Sequence, residues 1–191
     1  MRLANVLASA FLLSLFASSA FAEQKYYVSF TNPNPRYIFT VHAPSTNPVN
    51  PVNAQVDQGT CMTIWKQPVT DTDVTPASPL IDMVIADKNS EPCSNREKTL
   101  PWYITVRSAN SSIPSPKHGY CILDFWHGHQ GSPTGHWYTS ITGRNGQDCD
   151  SMVQQVQCTD NNSKNVDCWG KQVRSNDNQH IRILFTGNEI K

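Results

Sequence analysis

Three of the six histidines fall in one stretch, Cys121 to Tyr138, CILDFWHGHQGSPTGHWY, which also holds two of the five tryptophans. Neutral imidazole nitrogen is a good ligand for zinc or copper. His127-Gly128-His129 is an H-x-H pair, and on a strand both side chains point to one face. The run Ile122, Leu123, Phe125, Trp126 leads into it, and Gln130 to Gly135, with Gly and Pro, would turn the chain so that His136-Trp137-Tyr138 starts a return arm. If His129 lies opposite His136 and His127 opposite Tyr138, then His127, His129, His136 and Tyr138 share one face. Opposed Cβ atoms about 4.5–5.5 Å apart let two imidazoles reach one metal. Three such ligands leave a coordination position for a water that zinc can deprotonate near neutral pH. His127, His129 and His136 are therefore candidate metal ligands, with zinc or copper as the implied ion. The bland alternative is three histidines near a polar tip, exposed or bonded to loop backbone, and a slip of one residue would send His136 to the other face.

In that register Trp126 and Trp137 share the face opposite the histidines. With the adjacent Tyr138 they are candidate binding residues, because flat rings stack on sugar faces while Asn and Gln side chains bond hydroxyls. The competing reading is core packing, the ordinary fate of tryptophan in a domain of this size. Paired acids at Asp71/Asp73 and Asp148/Asp150, with Asp160, fall in expected loops, where a solvated turn or calcium trimming competes with catalysis. No G-x-S-x-G elbow, H-E-x-x-H helix, phosphate-cradling G-x-x-x-x-G-K or dinucleotide fingerprint occurs.

The elements that must position these residues are short. Tyr26 to Phe30, Tyr37 to His42, Cys61 to Trp65, Leu80 to Ala86, Trp102 to Val106, the two arms of the hairpin, Val166 to Arg174 and His180 to Phe185 read as strands separated by turns rich in Asn, Pro and Gly. Pro44 to Asp57 and Pro68 to Pro79 read as long loops. Cys149, Met152, Val153 and Val156 follow helical spacing and predict at most one short helix, although Gln-Val-Gln-Cys fits a strand equally well. Many short strands without a long amphipathic helix imply an all-β fold, an antiparallel β-sandwich or barrel with long loops.

Met1 to Ala22 has the form of a secretory signal peptide: Arg2, an apolar run, and Ala20-Phe21-Ala22 as an A-x-A cleavage site. Residues 23–191 would then be one exported β-sandwich domain, secreted or periplasmic. All six cysteines, Cys61, Cys93, Cys121, Cys149, Cys158 and Cys168, lie in that part, an even number that implies three disulfides. Cys158 and Cys168 flank a turn-like segment and are the expected local bridge. Fifteen basic side chains balance 15 acidic ones, so composition offers no basic face for nucleic acid. No segment after the signal approaches the roughly 20 apolar residues of a membrane helix.

These observations favour a secreted or periplasmic, disulfide-stapled binding protein that presents its surface to a glycan or a protein on a cell surface. Two alternatives remain at this stage. One is a small zinc hydrolase built on the three histidines, and the other is an inhibitor or toxin-like factor acting through a loop such as Pro44 to Asp57.

Overall fold

A computed structural model describes residues 24–42, 61–65, 71–87, 93, 96–116, 119–130, 135–144, 149–175 and 178–190. Residues 1–22, read above as a signal peptide, and the whole Pro44 to Asp57 loop lie outside them. The described strands are β1 (Lys25–Thr31), β2 (Tyr37–Val41), β3 (Met62–Trp65), β4 (Thr72–Val74), β5 (Leu80–Asp87), β6 (Lys98–Ser108), β7 (Tyr120–Gln130), β8 (His136–Gly143), β9 (Val153–Thr159), β10 (Asn165–Asp167), β11 (Val173–Arg174) and β12 (Asn178–Phe185). They form two six-stranded sheets, in the orders β10-β9-β12-β1-β5-β3 and β11-β8-β7-β6-β2-β4, with no closed barrel. All pairings are antiparallel except β1 with β12. The expected sandwich is therefore what the chain adopts.

Alternation along the strands explains the packing. Tyr26, Val28 and Phe30 of β1, and Tyr37, Phe39 and Val41 of β2, are buried, while their sequence neighbours are partly exposed. A side-chain period of two sends one set inward from each sheet. The inner faces meet through Tyr26 against Phe125 at 4.9 Å between ring centroids, Phe30 against Trp102 at 5.7 Å and Phe39 stacked on Phe185 at 4.1 Å. Each offset or edge contact of this kind adds roughly 0.5–1.5 kcal/mol to the burial of the rings.

Asn32-Pro33-Asn34-Pro35 carries the chain from one sheet to the other. Asn32 Nδ2 donates to the carbonyls of Tyr37 (2.8 Å) and Val74 (3.1 Å), and Asn34 Nδ2 donates to that of Asn188 (2.9 Å). The two prolines have no N–H to satisfy, and the asparagine side chains supply the bonds that a regular ladder lacks at this corner.

The disulfides are Cys61–Cys93, Cys121–Cys149 and Cys158–Cys168, so the expected local bridge forms. Cys121 on β7 and Cys149 on α1 (Cys149–Met152) link one sheet to the element that leads into the other. Gly143 makes room for this bridge, since a Cβ there would stand 2.6 Å from that of Cys149. The helix stops after four residues, and Val153 to Thr159 is a strand, because Val153, Val156 and Cys158 fill the core beside β12. The expected loop Pro68 to Pro79 contains β4, a three-residue edge strand on β2.

Candidate functional site

The expected hairpin forms, but one residue out of the expected register. His136 lies opposite Gln130, Trp137 opposite His129, Tyr138 opposite Gly128 and Thr139 opposite His127. The hydrophobic pattern decides this. Ile141 pairs with Phe125 and both are fully buried, so Trp137, Thr139 and Ile141 form the inward row of β8. The register that gathered the histidines would have turned His136, Tyr138, Ser140 and Thr142 inward and exposed Ile141. Three corrections follow. His136 and Tyr138 are on the outer face, away from His127 and His129, and Trp137 is on the histidine face rather than beside Trp126.

His127 also lies deeper than the expected rim of the core, at 0% exposure. Trp137 stacks on its ring at 4.7 Å and 11°, and meets His129 edge-on at 5.3 Å. Tyr26 approaches His127 from the other sheet at 5.4 Å. Nδ1 faces the hydroxyls of Thr139 (3.4 Å) and Ser175 (3.5 Å), which bond each other at 2.6 Å. Lys98, only 2% exposed and directly opposite His127 on β6, holds its amine 5.1 Å from the Trp137 ring centroid. Burial, and then the Lys98 charge, push the His127 pKa down to about 3, against a backbone hydrogen bond with Tyr138 that raises it. This imidazole is neutral at physiological pH and is packed as an aromatic core residue. An indole rests against both His127 and His129, and among the described residues no group of three or more His, Cys, Asp or Glu side chains could hold a metal ion.

The outer face of the same hairpin presents different chemistry. Trp126 points outward and lies across Gly128, where a Cβ would fall 2.2 Å from Cζ2 and 2.7 Å from Cη2 of the indole. Glycine suits this position because the ring occupies the space a side chain would take. Around it, Thr99, Asp124, Ser140, Thr142, Arg144 and Gln172 line an open groove of about 510 Å³. The Arg144 guanidinium grips Asp124 with two bonds, Nε to Oδ2 at 2.9 Å and Nη2 to Oδ1 at 2.6 Å. At the tip, Gln130 is hydrogen-bonded to Gln172. Tyr138, half-buried, shares this outward face opposite Gly128. Of the three sequence-predicted binding residues, Trp126 and Tyr138 are thus brought to one face and Trp137 is not.

Arg144 and Gln172 were invisible to pattern reading, because nothing local marks a side chain that reaches a neighbouring strand. The same holds for His42. Its Nδ1 bonds Asp71 Oδ2 at 2.8 Å and its Nε2 bonds Thr105 Oγ1 at 2.7 Å, joining β2, β4 and β6 at the other end of this outer face. Asp160, by contrast, has the bland role: its carboxylate accepts from the Asn162 and Lys164 backbone N–H groups, and these bonds, the Lys164 one foremost, hold its pKa below the usual carboxylate range. Asp148 lies outside the described residues.

No family model, curated protein or solved structure matches the chain.

Proposed function

We propose that this is an exported binding protein that recognises a glycan through the Trp126 groove on the outer face of the second sheet. The observation that carries the reading is an outward indole whose six-membered ring covers Gly128, with hydroxyl, carboxylate, guanidinium and amide groups around it. A pyranose offers an apolar C–H face and a ring of hydroxyls, and such a surface meets both. The carboxylate of Asp124 is held in place by Arg144, so it can accept from adjacent hydroxyls without first being ordered. That pair is internally neutralised, which favours a neutral sugar over an acidic one.

Three disulfides support export, since such bonds persist in oxidising compartments. Among the described residues no helix is long and apolar enough to cross a membrane. The sequence of residues 1–22 adds a signal peptide with cleavage before Glu23, which amino-terminal sequencing of the exported product would check. The zinc reading loses its third ligand, and the inhibitor reading rests on a loop outside the described residues.

The direct test is a glycan array probed with the mature protein and with Trp126→Ala. Retention of a neutral glycan by the wild type, weakened at least tenfold in the variant at unchanged melting temperature, supports the proposal. Equal binding by both proteins, or none by the wild type, removes it.

A further inference from the structure

Three residues remote in sequence converge on the outer face of the second sheet in an order that has chemical meaning. His42 follows β2, Asp71 precedes β4, and Thr105 lies on β6. Asp71 Oδ2 meets His42 Nδ1 at 2.8 Å, and His42 Nε2 meets Thr105 Oγ1 at 2.7 Å. A carboxylate only accepts hydrogen bonds, so in the neutral imidazole the proton sits on Nδ1, toward Asp71. Nε2 is then left as the acceptor of the threonine hydroxyl proton. A hydroxyl bonded to an imidazole that a third group orients is the arrangement that activates an alcohol as a nucleophile, and it is recognised by geometry rather than by sequence order.

The surroundings fit that use. The His42 side chain is 10% exposed, enough shelter to hold the relay while leaving one side to solvent. The His42 backbone N–H is bonded to the Tyr103 carbonyl at 2.9 Å, which anchors the base beside β6. Arg107, two residues beyond Thr105 and on the same face, is 56% exposed and tied to Asp73, itself bonded to Thr40 at 2.6 Å. The Arg107–Asp73–Thr40 bonds hold β4 alongside β2 and β6 next to the line of Asp71, His42 and Thr105.

We propose that Thr105, His42 and Asp71 form a hydrolytic site for carboxylic esters, separate from the Trp126 groove. Thr105 Oγ attacks the ester carbonyl carbon while His42 Nε2 takes its proton. The tetrahedral oxyanion collapses, the C–O bond to the alcohol breaks, and His42 returns the proton to the leaving oxygen. This yields acyl-threonine and the free alcohol. Water then attacks the acyl carbon with its proton going to His42, and the carboxylic acid leaves as Thr105 is restored. Ester and water give acid and alcohol, and Asp71 keeps the imidazole in the required tautomer throughout.

Thr99, beside the Trp126 groove, and Thr105 are six residues apart on β6, roughly 20 Å at about 3.4 Å per residue. Failure of one site therefore leaves the reading of the other standing.

The experiment uses the mature protein and p-nitrophenyl acetate, with acid quenching and peptide mapping by mass spectrometry. Expected are release of p-nitrophenol and one acetyl group on Thr105. The near-isosteric Thr105→Val should lose the adduct and at least about tenfold of the rate, as should His42→Ala and Asp71→Asn, while Thr105→Ser keeps the adduct. Acetylation confined to lysines or to other residues of the wild type overturns the proposal without recourse to any variant. So does Thr105→Val hydrolysing the ester as fast as the wild type, which would leave the three residues as a strap holding the short edge strand β4.

Discussion

Gly128→Ala separates the fold from the site more sharply than any truncation of Trp126. The new methyl carbon would lie 2.2, 2.7 and 2.9 Å from Cζ2, Cη2 and Cε2 of the indole. Carbon atoms rest at about 3.5–4.0 Å, so the ring edge must retreat by roughly 1.3 Å or more. Solvent lies on its outer side, and the ring can swing that way without disturbing the core. If that exposes about 40 Å² of apolar surface, the loss is about 1 kcal/mol at 25 cal/mol per Å². Replacing glycine in a strand returns roughly 0.5–1 kcal/mol of backbone entropy. Net stability should thus change by less than about 1 kcal/mol, a melting shift of no more than about 4 °C for a chain of this size. Ligand affinity should respond much more. Stacking on one aromatic ring is worth about 1–3 kcal/mol where it has been measured on flat ligands, or roughly 5- to 150-fold in Kd. The assay pairs thermal unfolding with tryptophan emission and calorimetric titration of the glycan that the wild type retains. A red-shifted emission with unchanged affinity would refute the platform argument. A melting temperature lowered by more than about 10 °C would refute the claim that the ring is free to swing.

Acid should weaken the protein through His127, whose pKa falls from 6.5 to about 3 on folding. Between those values the unfolded chain binds a proton that the native state refuses, so this contribution is fully present above pH 6.5 and is eroded as pH falls toward 3. At about 1.4 kcal/mol per unit the loss by pH 4 is on the order of 3 kcal/mol, and His127→Phe should flatten it. Urea midpoints of both proteins at pH 7 and pH 4 check this, and a wild-type-to-variant difference independent of pH would contradict it. Removing the Cys158–Cys168 bridge with a double alanine variant frees a loop of sequence separation 10, and should cost about 3 kcal/mol in the same assay.

Much of the architecture was legible because period-two burial is a local property. Tyr26, Val28 and Phe30, or Tyr37, Phe39 and Val41, alternate with polar or less buried neighbours, and that pattern alone names a two-faced strand. The bridge between Cys158 and Cys168 was legible because its partners flank one turn. The edge strand β4 was not, since three residues beside prolines carry no periodic signal and take their form from pairing with β2. The helical spacing at Cys149 was real for one turn and was then overridden by pairing of β9 with β12.

The register of the central hairpin shows where the local signal was present and outweighed. Taken with their inward partner Phe125, Trp137, Thr139 and Ile141 already specify which row of β8 belongs inside. Three histidines suggested a different alignment, but a buried isoleucine opposite a buried phenylalanine gains more than imidazoles gathered at a tip.

By its own order of residues the chain determines that strands form, which face of most of them is apolar, and that an even set of six cysteines is available to pair. Only the tertiary structure decides that Trp126 lies across Gly128, that Arg144 grips Asp124, and that His42 stands between Asp71 and Thr105. The physical reason is range. Burial periodicity acts between neighbours in sequence, whereas these contacts join residues whose closeness exists only once the two sheets have set the register of every strand between them.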